Sequence, residues 1–87
     1  MKPEALLRRC QSGALSNVRF ADAVRLAEAL GFTLKRVEGD HHIFERTGVH
    51  VCVNLQSVKG EAKPYQLRQV LKLVDEYSLT ITGESDG

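Results

Sequence analysis

The chain lacks any apolar run near the roughly 18 residues that a membrane span requires, and residues 1–20 lack the long apolar stretch of a secretory signal. A cytoplasmic protein with no membrane role is therefore expected. Cysteine is scarce. Cys10 and Cys52 lie far apart without CxxC spacing, so free thiols are expected and not a disulfide or a redox pair. A charge excess of one sign is missing too, because twelve Lys and Arg stand against eleven Asp and Glu. That balance excludes the strongly basic class of nucleic-acid binders. Setting aside Glu84 and Asp86 leaves twelve bases against nine acids over residues 1–79, which permits contact with a phosphate backbone without arguing for it. No internal repeat or low-complexity segment is present, and 87 residues hold one domain.

What is present is a clear change of period along the chain. Residues 1–16 read as an N-terminal extension, with a short helix from Pro3 to Arg9 that Ser12-Gly13 ends. A helix of two turns is marginal alone, so it must dock or fray. From Val18 to Leu30 the residues Phe20, Ala23, Val24, Ala27 and Leu30 fall on one helical face. Ser16 or Asn17 is available as N-cap, and Gly31 stops the helix. Alternating segments follow: Phe32 to Val37, His41 to Arg46 and Val49 to Leu55 read as strands. Glu38-Gly39-Asp40 forms the first turn, with Gly39 as its structural glycine, and Thr47-Gly48 the second. Residues 56–63 read as a loop. Pro64 opens a last helix to about Tyr77 that buries Leu67, Val70, Leu71 and Val74. The sequence thus predicts a domain over residues 17–79 and a disordered polar tail over 80–87.

Helix, three-stranded antiparallel meander, helix gives an α+β two-layer sandwich of order α-β-β-β-α. Both helices have one apolar stripe to offer one sheet face, and the other face stays open. Double-stranded-RNA-binding domains share this arrangement.

Pairing parity separates the two adjacent histidines. A two- or four-residue connection around Thr47-Gly48 sets His41 opposite Asn54 and His42 opposite Val53. One face then carries His42, Phe44, Arg46, Val49, Val51 and Val53, the apolar set expected under the helices. The other carries His41, Ile43, Glu45, His50, Cys52 and Asn54. His41 therefore points from the open face and His42 sits at the core margin. A three-residue connection would reverse these assignments. A strand histidine is more often structural than functional, which suits His42. His41, His50 and Cys52 share a face, yet three ligands spread over a flat sheet do not converge tetrahedrally, so no metal and no cofactor are expected. Lys59, Lys63, Arg68 and Lys72 gather around the start of the last helix. They are either a solvated surface or a phosphate-binding set aided by free backbone N–H groups.

Leu30-Gly31-Phe32, Arg36 and Gly39-Asp40-His41-His42-Ile43-Phe44 resemble the helix end, first strand and histidine signature of HicA-type mRNA interferase toxins. Gln66-Leu67-Arg68-Gln69-Val70-Leu71 resembles that family's closing helix. The resemblance spans about residues 17–79. It implies a dsRNA-binding-domain-like fold, metal-independent mRNA cleavage, and a HicB-like antitoxin that covers the active site, with oligomers expected only alongside that antitoxin. Carried over, the signature histidine falls on His41, with His42 as the alternative, and the turn glycine on Gly39. Asp40 stands where the family has serine, Asn54-Leu55-Gln56 where it has a Pro-His step, and Lys63-Pro64-Tyr65 where it has Gly-Thr.

One histidine suffices for such chemistry. RNA supplies its own 2′-OH nucleophile, and an imidazole, titrating near pH ~6.5, is well matched to remove its proton at neutral pH. Lys or Arg would stabilise the phosphorane charge. Two other functions fit the same residues: a non-catalytic RNA-binding module, and a small protein-interaction domain with no nucleic-acid role.

Overall fold

A computed structural model of the chain describes residues 1–82. Three helices and four strands follow in the order α1 (Pro3–Gln11), α2 (Phe20–Ala29), β1 (Thr33–Glu38), β2 (His41–Glu45), β3 (Val53–Val58), β4 (Glu61–Ala62) and α3 (Pro64–Tyr77). The sheet is antiparallel throughout, in the order β1-β2-β3-β4. The α+β sandwich holds, with one strand more than the meander expected. Phe44, Val53 and Leu55 from one sheet face join Ala23, Leu26, Ala27 and Leu30 of α2 and Leu67, Val70 and Leu73 of α3 in a single buried cluster. None of the helices among the described residues is long and apolar enough to cross a membrane.

The N-terminal extension docks. Leu6 and Cys10 on one face of α1, and Leu15 after it, are buried in the same cluster. Cys10 and Cys52 are both free, and burial pushes the Cys10 thiol above its ordinary value against the opposing pull of Arg9. Of the tail expected at 80–87, Ile81 packs against the core and the Thr82 N–H donates to the Ala29 carbonyl at 2.9 Å. Residues 83–87 lie outside the described residues.

The start of α2 is displaced from the expected Val18. The Ala62 N–H donates to the Val18 carbonyl, and the Phe20 N–H to the Gly60 carbonyl, each at 2.9 Å. The segment before α2 is thus spent as an extra ladder rung against β4 and cannot be helical. Arg19, in extended conformation, becomes the N-cap, and Asn17 takes a left-handed φ of 59°. The far end of α2 follows the glycine signal. Phe32 N–H bonds to Ala27 O and Gly31 N–H to Glu28 O, the Schellman arrangement, with Gly31 at φ 97°. Arg46 Nε donates to the Leu30 carbonyl at 2.8 Å, placing a cation at the negative end of the helix. A Cβ at Gly31 would lie 2.6 Å from that Nε, so both backbone and neighbour require glycine there.

The third strand corrects the expected span of Val49 to Leu55. β3 runs Val53–Val58, and residues 46–52 are the connecting loop. His42 pairs with Leu55 and Phe44 with Val53, a slide of two residues from the expected partners. Sliding brings Leu55 to full burial and leaves Val51, expected under the helices, 46% exposed. The exchange favours Leu55 because α2 and α3 both pack on β3 there, whereas Val51 lies beyond their cover. The stretch expected as a loop over 56–63 instead holds the end of β3, a tight turn and β4. Lys59 and Gly60 both have positive φ (54° and 79°), as a type I′ hairpin requires.

The register makes a direct prediction. Leu55→Ala should destabilise the fold by about 2–5 kcal/mol, as expected for a leucine removed from a closed core. Val51→Ala should change stability by no more than about 0.5 kcal/mol, as at other exposed sites. Denaturant melts of the two variants check it, and the reverse ranking would restore the expected register.

Candidate active site on the open sheet face

A slide of two residues preserves parity, so the faces assigned to the two histidines survive the change of partners. His42 lies with Phe44, Val53 and Leu55 on the helix side. Its ring meets Phe20 edge-on at 4.8 Å between centroids, and its Nδ1 is buried without a hydrogen-bond partner among the described residues. A ring used for packing accounts for both observations. His41 lies on the opposite face with Ile43, Asn54 and Gln56. Its strand partner is Gln56, two residues along from the Asn54 expected. Asn54 is nonetheless the side chain that touches it, with 3.0 Å between His41 Nδ1 and Asn54 Oδ1. Ile43, on the same face, is 9% exposed but stands apart from the main core cluster.

The turn before His41 is the expected one. Glu38 pairs with His41 across Gly39-Asp40, and Gly39 has φ 61°. A glycine at the first central position is what a two-residue type II′ hairpin demands. The Ser57 N–H reaches the Asp40 carbonyl at 3.4 Å, which ties this turn to β3. Arg36 pairs with Glu38 along β1, and Lys35 pairs with Glu45 across to β2. The first occupies the carboxylate nearest His41 by register.

The other chemistry-bearing residues are divided. His50 and Cys52, expected beside His41, sit exposed in the 46–52 loop at the far end of β2. There they border a shallow cleft with Lys35, Glu45 and Arg46. No set of three or more His, Cys, Asp or Glu side chains among the described residues is placed to hold a metal ion. Lys59 is in the β3–β4 turn, at the same end of the sheet as the Gly39 turn. Lys63, in extended conformation, directly follows β4 as the N-cap of α3, so its backbone leaves the sheet near the end where His41 enters it. Its Nζ lies 5.8 Å from the centre of the Tyr65 ring. Arg68 and Lys72, by contrast, border a groove with Gln11, Leu71, Val74 and Asp75 where α3 meets α1, on the helix side of the molecule.

Gln66 is the supporting residue that sequence reasoning misses. It is buried, and its Oε1 accepts the Gln56 N–H at 2.7 Å. A glutamine at the third helical position ordinarily reaches back to its own N-cap, and that was the only signal available. Here it completes the edge of β3 where β4 stops, and so holds Gln56 level with His41.

A three-helix, four-strand α+β domain with one sheet face open is compatible with the double-stranded-RNA-binding-domain-like class. Comparison with known proteins makes the assignment narrower. The protein family described as the HicA toxin of bacterial toxin–antitoxin matches residues 20–75, from the first residue of α2 to near the end of α3. The chain belongs to the HicA toxin family. It is the toxin of a toxin–antitoxin system, and an antitoxin is its partner. No curated protein and no solved structure is similar enough to be matched to it.

The division of labour between the histidines can be measured. His42→Ala should lower stability by about 1–2 kcal/mol through lost contact with Phe20, a typical cost for a half-buried truncation. His41→Ala should melt close to the wild type. Thermal unfolding of the two variants separates them, and equal losses would place both rings in the packing.

Proposed function

We propose that this toxin cleaves mRNA by metal-independent transesterification, with His41 as general base on the open sheet face. The observation that supports the reading is the parity of β2. The family's signature histidine stands clear of the core on a strand whose other face is fully used for packing, so His41 is left for solvent and substrate. RNA laid across the sheet would present a 2′-OH to that imidazole. His41 takes the 2′ proton, the oxygen attacks the adjacent phosphorus, and the bond to the 5′-oxygen breaks. That oxygen leaves with a proton from solvent, giving a 2′,3′-cyclic phosphate and a 5′-hydroxyl end. A positioned base of this kind contributes on the order of 10²–10⁴-fold. The antitoxin, of HicB type, would neutralise the toxin by covering the same face.

Expression of the chain alone should arrest growth and deplete mRNA, and His41→Ala should abolish both while remaining folded. Cleavage should survive EDTA, leave cyclic or 3′-phosphate ends, and fail on RNA carrying a 2′-deoxy nucleotide at the scissile position. Equal toxicity of wild type and a soluble His41→Ala variant would remove the catalytic assignment. Cutting of the 2′-deoxy substrate would remove the mechanism.

Phosphate contacts are assigned by position. Lys59 and Lys63 flank the His41 end of the sheet, while Arg68 and Lys72 would extend the basic surface around α3. Lys59→Ala with Lys63→Ala should weaken RNA binding alike at all sequences, reducing the log–log salt slope by roughly 1–2 at about 0.7–0.9 per phosphate contact. The rate at saturating RNA should change little, because a contact made equally in ground and transition states acts on KM. Arg68→Ala with Lys72→Ala should have the smaller effect in filter-binding titrations over a salt series. Unchanged slopes in both pairs would make these four side chains a solvated surface and favour a different RNA path.

A further inference from the structure

We propose that Asn54 is a positioning residue that holds His41 in the tautomer with hydrogen on Nδ1, leaving the Nε2 lone pair as the base. This rests on the catalytic reading of His41 above and adds the group that makes the imidazole competent. The amide oxygen of Asn54 lies 3.0 Å from His41 Nδ1. An amide oxygen only accepts, so the hydrogen of that bond belongs to Nδ1. In neutral imidazole the other nitrogen is then bare. Among the described residues no hydrogen bond to Nε2 is found, and the buried, unpartnered side-chain nitrogen there is on His42, so Nε2 of His41 is not sealed in the core.

The same bond serves both protonation states. When Nε2 takes a proton, Nδ1 keeps its hydrogen and Asn54 remains its acceptor, so no reorganisation accompanies proton transfer. Had the amide nitrogen faced the ring, it would have donated to Nδ1, placed the hydrogen on Nε2 and removed the base. Competing acceptors are accounted for. Glu38 is the strand partner of His41, but its carboxylate is engaged by Arg36. Gln56 is the partner on the other side, and among the described residues the side-chain contact to Nδ1 comes from Asn54 and not from Gln56. Asn54 sits next to buried Val53 and Leu55 on a central strand, so its position relative to His41 is set by the core. An orienting group fixed this way on a rigid element is what a general base acting alone requires.

The tautomer is read directly from histidine ¹⁵N shifts and long-range ¹H–¹⁵N correlations on the labelled full chain with the ring neutral. Wild-type His41 should show a protonated Nδ1 and a bare Nε2. Asn54→Ala should shift it toward hydrogen on Nε2 and lower the cleavage rate at saturating RNA by roughly tenfold, part of what a general base supplies, with KM little changed. Asn54→Asp keeps an oxygen acceptor and should restore both the tautomer and most of the rate. A wild-type His41 with hydrogen on Nε2 would overturn the proposal, as would an Nδ1–H tautomer that persists in Asn54→Ala. The two readings fail separately. A chain that cuts no RNA yet loses the Nδ1–H tautomer in Asn54→Ala keeps the pair and loses the nuclease, whereas a wild-type Nε2–H ring in an active enzyme does the reverse.

Discussion

The burial of Phe44, Val53 and Leu55 beneath α2 and α3 governs the rest of this small domain. Side chains alternate strictly along a strand, so committing three apolar residues of β2 and β3 to the helix layer commits every neighbour to the other side. His41 and His42 are adjacent in sequence and are separated by this commitment alone. One becomes a packing ring against Phe20 and the other a solvent-facing imidazole held by Asn54. The core, in this sense, positions the site. The loss of a single methylene-rich contact in it, such as Leu55, would be felt on both faces.

A chain of this size closes a core only by using nearly every element. Helix α1 lies outside the segment matched to the family, yet Leu6 and Cys10 are buried in the common cluster. The polar ties have the same economy. Gln66 completes the β3 edge that the two-residue β4 leaves open, and Arg46 both neutralises the end of α2 and fills the space that Gly31 vacates. None of these bonds is exotic. Each satisfies a backbone group that burial would otherwise strand, at a cost of about 1–3 kcal/mol per unmet group.

For a toxin, an open sheet face opposite a closed core is a workable compromise. On the proposed reading the face would need no deep pocket, since RNA carries its own nucleophile and the protein would supply orientation and one proton acceptor. Its charges are already largely paired, Arg36 with Glu38 and Lys35 with Glu45, while among the described residues no ion pair is found for Lys59 or Lys63. A flat surface of this kind is also one that a protein partner can cover completely.

Much of this was legible before the fold was known. The helical stripes of α2 and α3, the Gly31 stop, the turn at Gly39 and the family motif around His41 are local patterns, and each depends on residues close in sequence. The faces of the two histidines were legible as well, because parity tolerates an even slip. What the tertiary structure decided was everything set by distant partners. The two-residue slide of β3, the Lys59-Gly60 turn and β4, and the late start of α2 all follow from which backbone groups meet across the fold. The same contacts placed Arg68 and Lys72 beside α1, away from the histidine. Local periodicity reports which residues share a face. Register, and with it the choice of Asn54 as the histidine's partner, depends on how far one strand must slide to bury Leu55, and that length is measured only against the helices.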